Sequence, residues 1–255
     1  MKQYPLIRNP FPGIFLFMIL VANTSFAQDT LSHKWHYVLE GYMMFPNMSG
    51  QTTVRNLPEV DVDASAGDIL GHLNIGAMLY AEATNDHWAI TSDILYMNLG
   101  QEAQQGNFVT SGDVTVKEMC WELAGLKRIT PWLDAGVGGR LLSLNAEIDI
   151  VTLKDFRSES ATRTWFDPVI IARSNHIFNE KWILQVRGDL GGFGIGSDFT
   201  WQGQVYAGYR FSKLFQATVG YRYIGIDYDK GEGQDRFLYD IDTYGAVIRF
   251  GFNFQ

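Results

Sequence analysis

The stretch Thr243-Tyr244-Gly245-Ala246-Val247-Ile248-Arg249-Phe250-Gly251-Phe252-Asn253-Phe254 decides the fold. Successive side chains of an extended strand point to opposite faces. This segment then puts Tyr244, Ala246, Ile248, Phe250, Phe252 and Phe254 on one face, and Thr243, Gly245, Val247, Arg249, Gly251 and Asn253 on the other. In water so long a greasy face is an aggregation hazard. In hydrocarbon it is at home, provided every backbone N–H and C=O finds a partner, and a sheet achieves that only by closing on itself. The segment reads as the wall of a closed barrel, with the greasy face on lipid and the other face on the lumen.

Working back from it, segments of similar alternation recur at 34–45, 69–83, 87–99, 115–127, 132–146, 164–178, 182–192, 200–211, 215–228 and 238–254. Their connections alternate in length. Thr84-Asn85-Asp86, Arg128-Ile129-Thr130-Pro131, Asn179-Glu180-Lys181 and Ser212-Lys213-Leu214 are short; 46–68, 100–114, 147–163, 193–199 and 229–237 are longer and polar. Short turns at one end and long loops at the other describe an up-and-down antiparallel transmembrane β-barrel with its long loops outside the cell. About ten strands are expected, with eight or twelve as alternatives if a hairpin is misread.

The aromatic residues follow the same two ends. Seven Trp, 12 Tyr and 17 Phe are generous for a soluble domain, whereas a membrane barrel needs rings at both interfaces, where an indole keeps its N–H in reach of water. Trp35, Trp88, Trp132 and Trp182 begin strands at the short-turn end, and Trp165 and Trp201 begin strands at the long-loop end. Trp132 shares parity with Asp134, so the expected girdles are Trp35, Trp88 and Trp182 below and Trp165 and Trp201 above.

The N-terminus carries an export signal. Lys2 and Arg8 precede the apolar run Ile14 to Ala22, and Ser25-Phe26-Ala27 offers a cleavage site before Gln28. Nine apolar residues are far fewer than the ~20 a membrane-spanning helix needs. The expected organisation is a signal peptide at 1–27 and a barrel domain at 28–255. Removing Lys2 and Arg8 from the formal charge of −8 leaves about −10, which argues against nucleic acid as a partner. Cys120, the one cysteine, cannot form an internal disulfide.

Three strand motifs carry a resemblance. Val205-Tyr206-Ala207-Gly208-Tyr209-Arg210-Phe211 and Val219-Gly220-Tyr221-Arg222-Tyr223 are similar to strands of the small Gram-negative outer-membrane β-barrel proteins, the group of OmpA-like and OmpW-like barrels. Thr243-x-Gly245-x-x-Ile248-x-Phe250 resembles the signal that barrel-assembly machinery recognises, although the chain runs on to Phe254-Gln255. The resemblance implies location in the outer membrane. It also implies lipid and lipopolysaccharide as surroundings, the assembly machinery as partner during insertion, and a monomer. It brings no active site.

Lipid-facing parity fixes the inward side chains: Glu40, Glu82, Asp93, Glu118, Glu122, Asp134, Arg140, Asp167, Arg173, Arg187, Asp189, Arg210, Arg222 and Arg249. An Arg at mid-depth on the lipid face would cost ~2–4 kcal/mol, so concentrating charge inside is consistent. Acids come from the early strands and arginines from the late ones, which places a charged layer of Glu40, Asp93, Glu122, Arg140, Arg173, Arg187, Asp189, Arg222 and Arg249 in the lumen. Either the two walls meet as bidentate Arg–carboxylate pairs and plug the barrel, or they stand apart across a narrow wet constriction that selects small solutes. An eight-strand barrel barely holds its own side chains and ten strands give little more, which favours a plugged or narrow lumen, with a structural role or restricted solute passage.

Other signals are weaker. Asp61, Asp63, Asp149, Asp155, Asp198, Asp227, Asp229, Asp240 and Asp242 make the loops acidic; such runs could hold a divalent cation but usually are solvated surface. No metal site and no cofactor are expected. A surface hydrolase acting on peptide or lipid A is the alternative function, and His72 with Asp68 near the outer rim is its best base and orienter. No nucleophile joins them, so no catalytic residue is assigned. Gly191-Gly192-Phe193-Gly194-Ile195-Gly196 lacks the Lys and the helix of a phosphate loop and reads as a tight outer hairpin.

Overall fold

The computed structural model describes residues 34–54, 59–102, 109–152 and 156–254; the leader expected at 1–27 lies outside them. Eleven strands form, β1 His36–Val54, β2 Val60–Ala64, β3 Leu73–Thr84, β4 Trp88–Glu102, β5 Val109–Thr130, β6 Leu133–Thr152, β7 Phe156–Phe178, β8 Trp182–Gly191, β9 Phe199–Arg210, β10 Phe215–Lys230 and β11 Phe237–Phe254. A short helix, α1 Ala66–Gly71, joins β2 to β3. Ten strands pair in antiparallel order round a ring that closes where β11 meets β1, from Tyr37 opposite Phe254 to Val54 opposite Phe237. The eleventh, β2, is an added outer strand on β1. The protein is an up-and-down antiparallel barrel, as the alternation in its sequence predicts.

Two girdles mark the membrane. At the short-turn end Trp182, Tyr209, Phe211, Phe215 and Phe252 touch ring to ring across β8, β9, β10 and β11. At the other end Trp201 stacks on Tyr223, and Tyr223 on Tyr244. Trp201 and Tyr209, Tyr223 and Phe215, and Tyr244 and Phe252 are each eight residues apart. Eight residues at ~3.3 Å each, on a strand tilted ~40°, give roughly 20 Å of height, close to the apolar band of such barrels. Between the girdles Val137, Phe166, Ile170, Val186, Val205, Val219 and Phe250 face outward and are exposed. Trp121 also faces out at this depth, and its indole N–H is satisfied locally by Ser92 Oγ at 3.0 Å.

Three expectations are corrected. The strand expected from residue 69 begins at Leu73, because Ser65 caps α1: its side chain accepts from the Asp68 N–H while the Asp68 carboxylate accepts from the Ser65 N–H. This reciprocal box starts a helix, and Ile69 and Leu70, which read as strand, fall on it. Second, much of what read as polar loop at 46–68, 100–114 and 147–163 is strand. β5, β6 and β7 run 22, 20 and 23 residues and stay paired from Val109 opposite Thr152 and Val151 opposite Phe156 downward. Above the lipid both faces are wet, so polarity there no longer separates strand from loop.

Third, Trp165 is not part of the outer girdle. It shares parity with Asp167, points into the barrel and is 6% exposed. Its N–H donates to Ser197 Oγ at 2.9 Å and its ring lies on Tyr228, Phe237 and Tyr239. Trp35, Trp88, Trp182 and Trp201 lie outside, each exposed.

Candidate functional site: a sealed lumen

The lumen has two storeys. The lower is ionic. Arg173 grips Glu82 through both terminal nitrogens at 2.6 and 2.8 Å, and also donates to Asp134 at 3.0 Å and to the Tyr80 hydroxyl at 3.1 Å. Arg140 bridges Glu122 at 2.7 Å and Asp189 at 2.6 Å, and Arg187 pairs with the same two acids, so the four groups form one ring of alternating charge. Gln202 donates to Asp189 and accepts from Arg222. Arg222 in turn meets Asp93 at 3.0 Å and the Tyr42 hydroxyl at 2.9 Å. Arg249 donates to Glu40 at 3.4 Å and to the Tyr206 hydroxyl at 2.8 Å, its guanidinium lying 3.8 Å from the Tyr206 ring centroid.

The arrangement spans the barrel. Glu82 on β3 meets β7, Asp93 on β4 meets β10, and Glu122 on β5 meets β8. Counting Arg128, which pairs with Asp134 at 3.1 Å, six arginines face six carboxylates among the described residues. Equal charge and direct contact leave no separated walls and so no transverse field. All nine residues named for the layer are buried, Arg140 completely.

The upper storey is apolar: Met44, Leu95, Met97, Cys120, Leu142, Ile224, Ile226, Ile241, Tyr239 and Trp165 form one cluster. The parity that turns Arg140 and Arg222 inward turns Leu142 and Ile224 inward too, but an apolar side chain, unlike a charge, carries no mark in the sequence that singles out a lumen cluster. The β8–β9 hairpin folds inward over this storey. Its Ser197 gives both its N–H, at 2.6 Å, and its hydroxyl, at 2.8 Å, to the Asp167 carboxylate. A Cβ on Gly196 would overlap Asp167 Oδ1 and the Phe166 carbonyl, so only glycine lets the backbone approach.

The spaces follow from this. A cavity of about 700 Å³ opens at the short-turn end, lined by His36, Glu82, Arg128, Gln185 and Arg210. Another of about 510 Å³ sits at the outer mouth among Met48, Val62, Ile69, Leu99 and Val116. Between them lie a cavity of about 70 Å³ along Met44, Met78 and Met97 and two smaller pockets, of about 20 Å³ beside Arg173 and Arg249 and about 10 Å³ beside Glu118. Each of the two smaller ones is room for roughly one water.

At the outer rim Asp229, Asp198 and Asp61 are engaged. Asp229 takes two hydrogen bonds from Arg236, at 3.1 and 2.9 Å, which hold its carboxyl below the usual range. Asp198 pairs with Lys230, and Asp61 accepts from Gln51 at 2.9 Å. Asp227 is pushed the other way, first by desolvation and then by Asp240, Asp198 and Asp229. His72 and Asp68 do not form an acid–base couple: His72 Nδ1 meets the Asp68 carbonyl oxygen at 2.7 Å, while the Asp68 carboxylate is taken by Ser65, which lowers its pKa.

No protein-family model matches this chain, and no curated protein does. Among solved structures, the outer-membrane protease OmpT of Escherichia coli superposes with a TM-score of 0.53 at 11% identity, over 89% of this chain and 99% of that one. Ail, the attachment invasion locus protein of Yersinia pestis, gives a TM-score of 0.40 at 13% identity, over 86% of this chain and 98% of that one. The OmpT likeness is one of fold. Closed ring, two aromatic girdles and an apolar band between them make the chain a small outer-membrane β-barrel protein of the Gram-negative type, located in the cell outer membrane.

Proposed function

We propose that the protein is a non-enzymatic, monomeric outer-membrane barrel whose lumen is sealed, so that it serves as a structural surface protein rather than an open pore. The observation that supports this is the set of cross-barrel ion pairs, above all the Arg140–Glu122–Arg187–Asp189 ring, with a space of about 20 Å³ beside it. Removing one partner of such a buried set costs ~3–5 kcal/mol, so thermal opening of the plug is rare. Insertion is guided by the barrel-assembly machinery reading the β11 pattern after export by the leader at 1–27. The hydrolase alternative has no base–orienter couple at His72, since Asp68 is committed to Ser65. Refolded protein in planar bilayers is expected to stay silent across a range of salt and voltage. A steady conductance that scales with salt would sink the sealed-lumen reading.

A further inference from the structure

The barrel wall parts on one side at the depth of the lipid. β1 and β3 are in register only from His36 opposite Thr84 to Gly41 opposite Leu79. β1 nevertheless stays paired to β11 along its length, and β3 to β4 up to Leu73. On its free side β1 next finds a partner at Met48, in β2. Residues 42–47 therefore present an open edge where hydrocarbon-embedded barrels ordinarily leave none. The Met44 N–H, which would have fed the ladder, donates instead to Met78 Sδ at 3.3 Å, a weak acceptor. Pro46, two residues on and so on the same side, has no N–H to strand.

The gap joins lipid to the upper storey of the lumen. Met43 beside it is 54% exposed and lies opposite Ile248, four residues below Tyr244 of the outer girdle. Behind it is a cavity of about 70 Å³ whose lining includes Met43, Leu70 and Leu73. Met44, Pro46, Met78 and Met97 line this cavity and also the chamber that holds Glu118, so the two adjoin across these side chains. Unbranched thioethers repack easily around a guest.

At that chamber two polar groups, one lining it and one beside it, lack partners among the described residues. Glu118 makes no ion pair or hydrogen bond. The Tyr239 hydroxyl, on a residue 7% exposed, has none either, and the two are close enough to interact electrostatically. A buried donor or acceptor left unpaired costs stability. One acceptor in the wall of an apolar chamber and one donor beside it, both unpaired, match a hydroxyl head, which can donate to the first and accept from the second.

We propose that the parting between β1 and β3 is a side portal through which an alkyl alcohol dissolved in the outer leaflet reaches the chamber. Its hydroxyl settles between Glu118 and Tyr239, and its chain lies along the methionines into the lipid. An alkyl carboxylate is repelled by Glu118, and an alkane leaves both polar groups unpaired. This rests on the sealed lumen, because an open pore would admit the same molecule from water. Conductance tests the seal, and the following experiment tests the portal.

Refolded barrel in phosphatidylcholine–phosphatidylglycerol vesicles is loaded with a diazirine-bearing decanol, irradiated and mapped by peptide mass spectrometry. Label is expected on Met44, Met78 and Met97, several-fold above that from the matching decanoate. Oxidising a Met43→Cys/Ala77→Cys pair in a Cys120→Ser background ties the two edges and is expected to abolish chamber label, which returns on reduction. Met78→Trp, which fills the same passage, is expected to do so without a bridge. Glu118→Leu is expected to erase the preference for decanol over decanoate while the gel-shift of the folded barrel persists. Chamber label that survives both closures, label confined to outward side chains such as Ile75 and Ile94, or equal labelling by decanoate would overturn the proposal.

Discussion

Arg249 shows how much a single lumen side chain carries. It contacts Glu40, Gln204 and Tyr206, and its guanidinium also lies over the rings of Tyr42 and Tyr80. Arg249→Ala leaves Glu40 buried with, among the described residues, only Gln216 as hydrogen-bond partner. A loss of ~3–5 kcal/mol is expected in urea unfolding of the refolded barrel. The Glu40→Gln/Arg249→Met double variant is expected to recover most of it, since an apolar replacement removes both desolvation penalties. A single-variant effect near zero would mean a hydrated lumen.

Asp227 works in the opposite sense at the rim, four residues above the girdle ring Tyr223. Its folded pKa is raised above its unfolded value, so ionising it costs stability. That cost is absent below the unfolded pKa and grows as pH rises through the window between the two values. Asp229 and Asp68, whose values are lowered, contribute stability above their unfolded pKa that is lost on acidification. Asp227→Asn is therefore expected to slow hydrogen exchange in the β10–β11 connection at pH 7 and to change nothing at pH 3. Faster exchange at pH 7 would show that Asp227 is ionised at no cost.

At the scale of elements, the β8–β9 hairpin is the informative one. Gly192 and Gly194 take φ of +82° and +76° with Phe193 between them at +50°, a backbone that glycine accepts cheaply. The glycine spacing in the sequence told of a tight turn. It could not tell that the turn bends inward and docks on Asp167, because that needs a carboxylate thirty residues away. Gly196→Ala is expected to cost ~1–3 kcal/mol through overpacking and to raise hydrogen exchange across 192–198, leaving the girdles unchanged. Protection equal to the parent would show that the hairpin is not seated there. The β1–β2–α1 segment makes the same point: its capping box is visible in Ser65 and Asp68, but an Ile-Leu pair suits a strand or a helix equally until something caps it.

For the whole molecule, the lipid belt is the decisive property. Val205→Arg puts a guanidinium on the outward face between the girdles, four residues from both Trp201 and Tyr209, and is expected to cost ~2–4 kcal/mol in refolding into bilayers. The same change at Gln204, on the lumen face, would act through crowding instead, and equal costs at both sites would undo the parity. Ten strands, their direction and the inward face of the nine charged layer residues were legible, though not the part of Arg128, which read as a turn, because lipid outside and a narrow lumen inside impose a strict two-residue period. That period holds only as far as the lipid does, which is why 100–114 and 147–163 read as loop and form strand.

By itself the sequence determined a closed barrel, its membrane face and a charged interior, since each follows from alternation along one strand at a time. Only the tertiary structure decided that the acids of β3, β4 and β5 reach the arginines of β7, β8 and β10, that Trp165 turns inward, and that β1 and β3 part above Gly41. Those are relations between strands far apart in the chain, set by how ten walls curve round one another, and no local period encodes them.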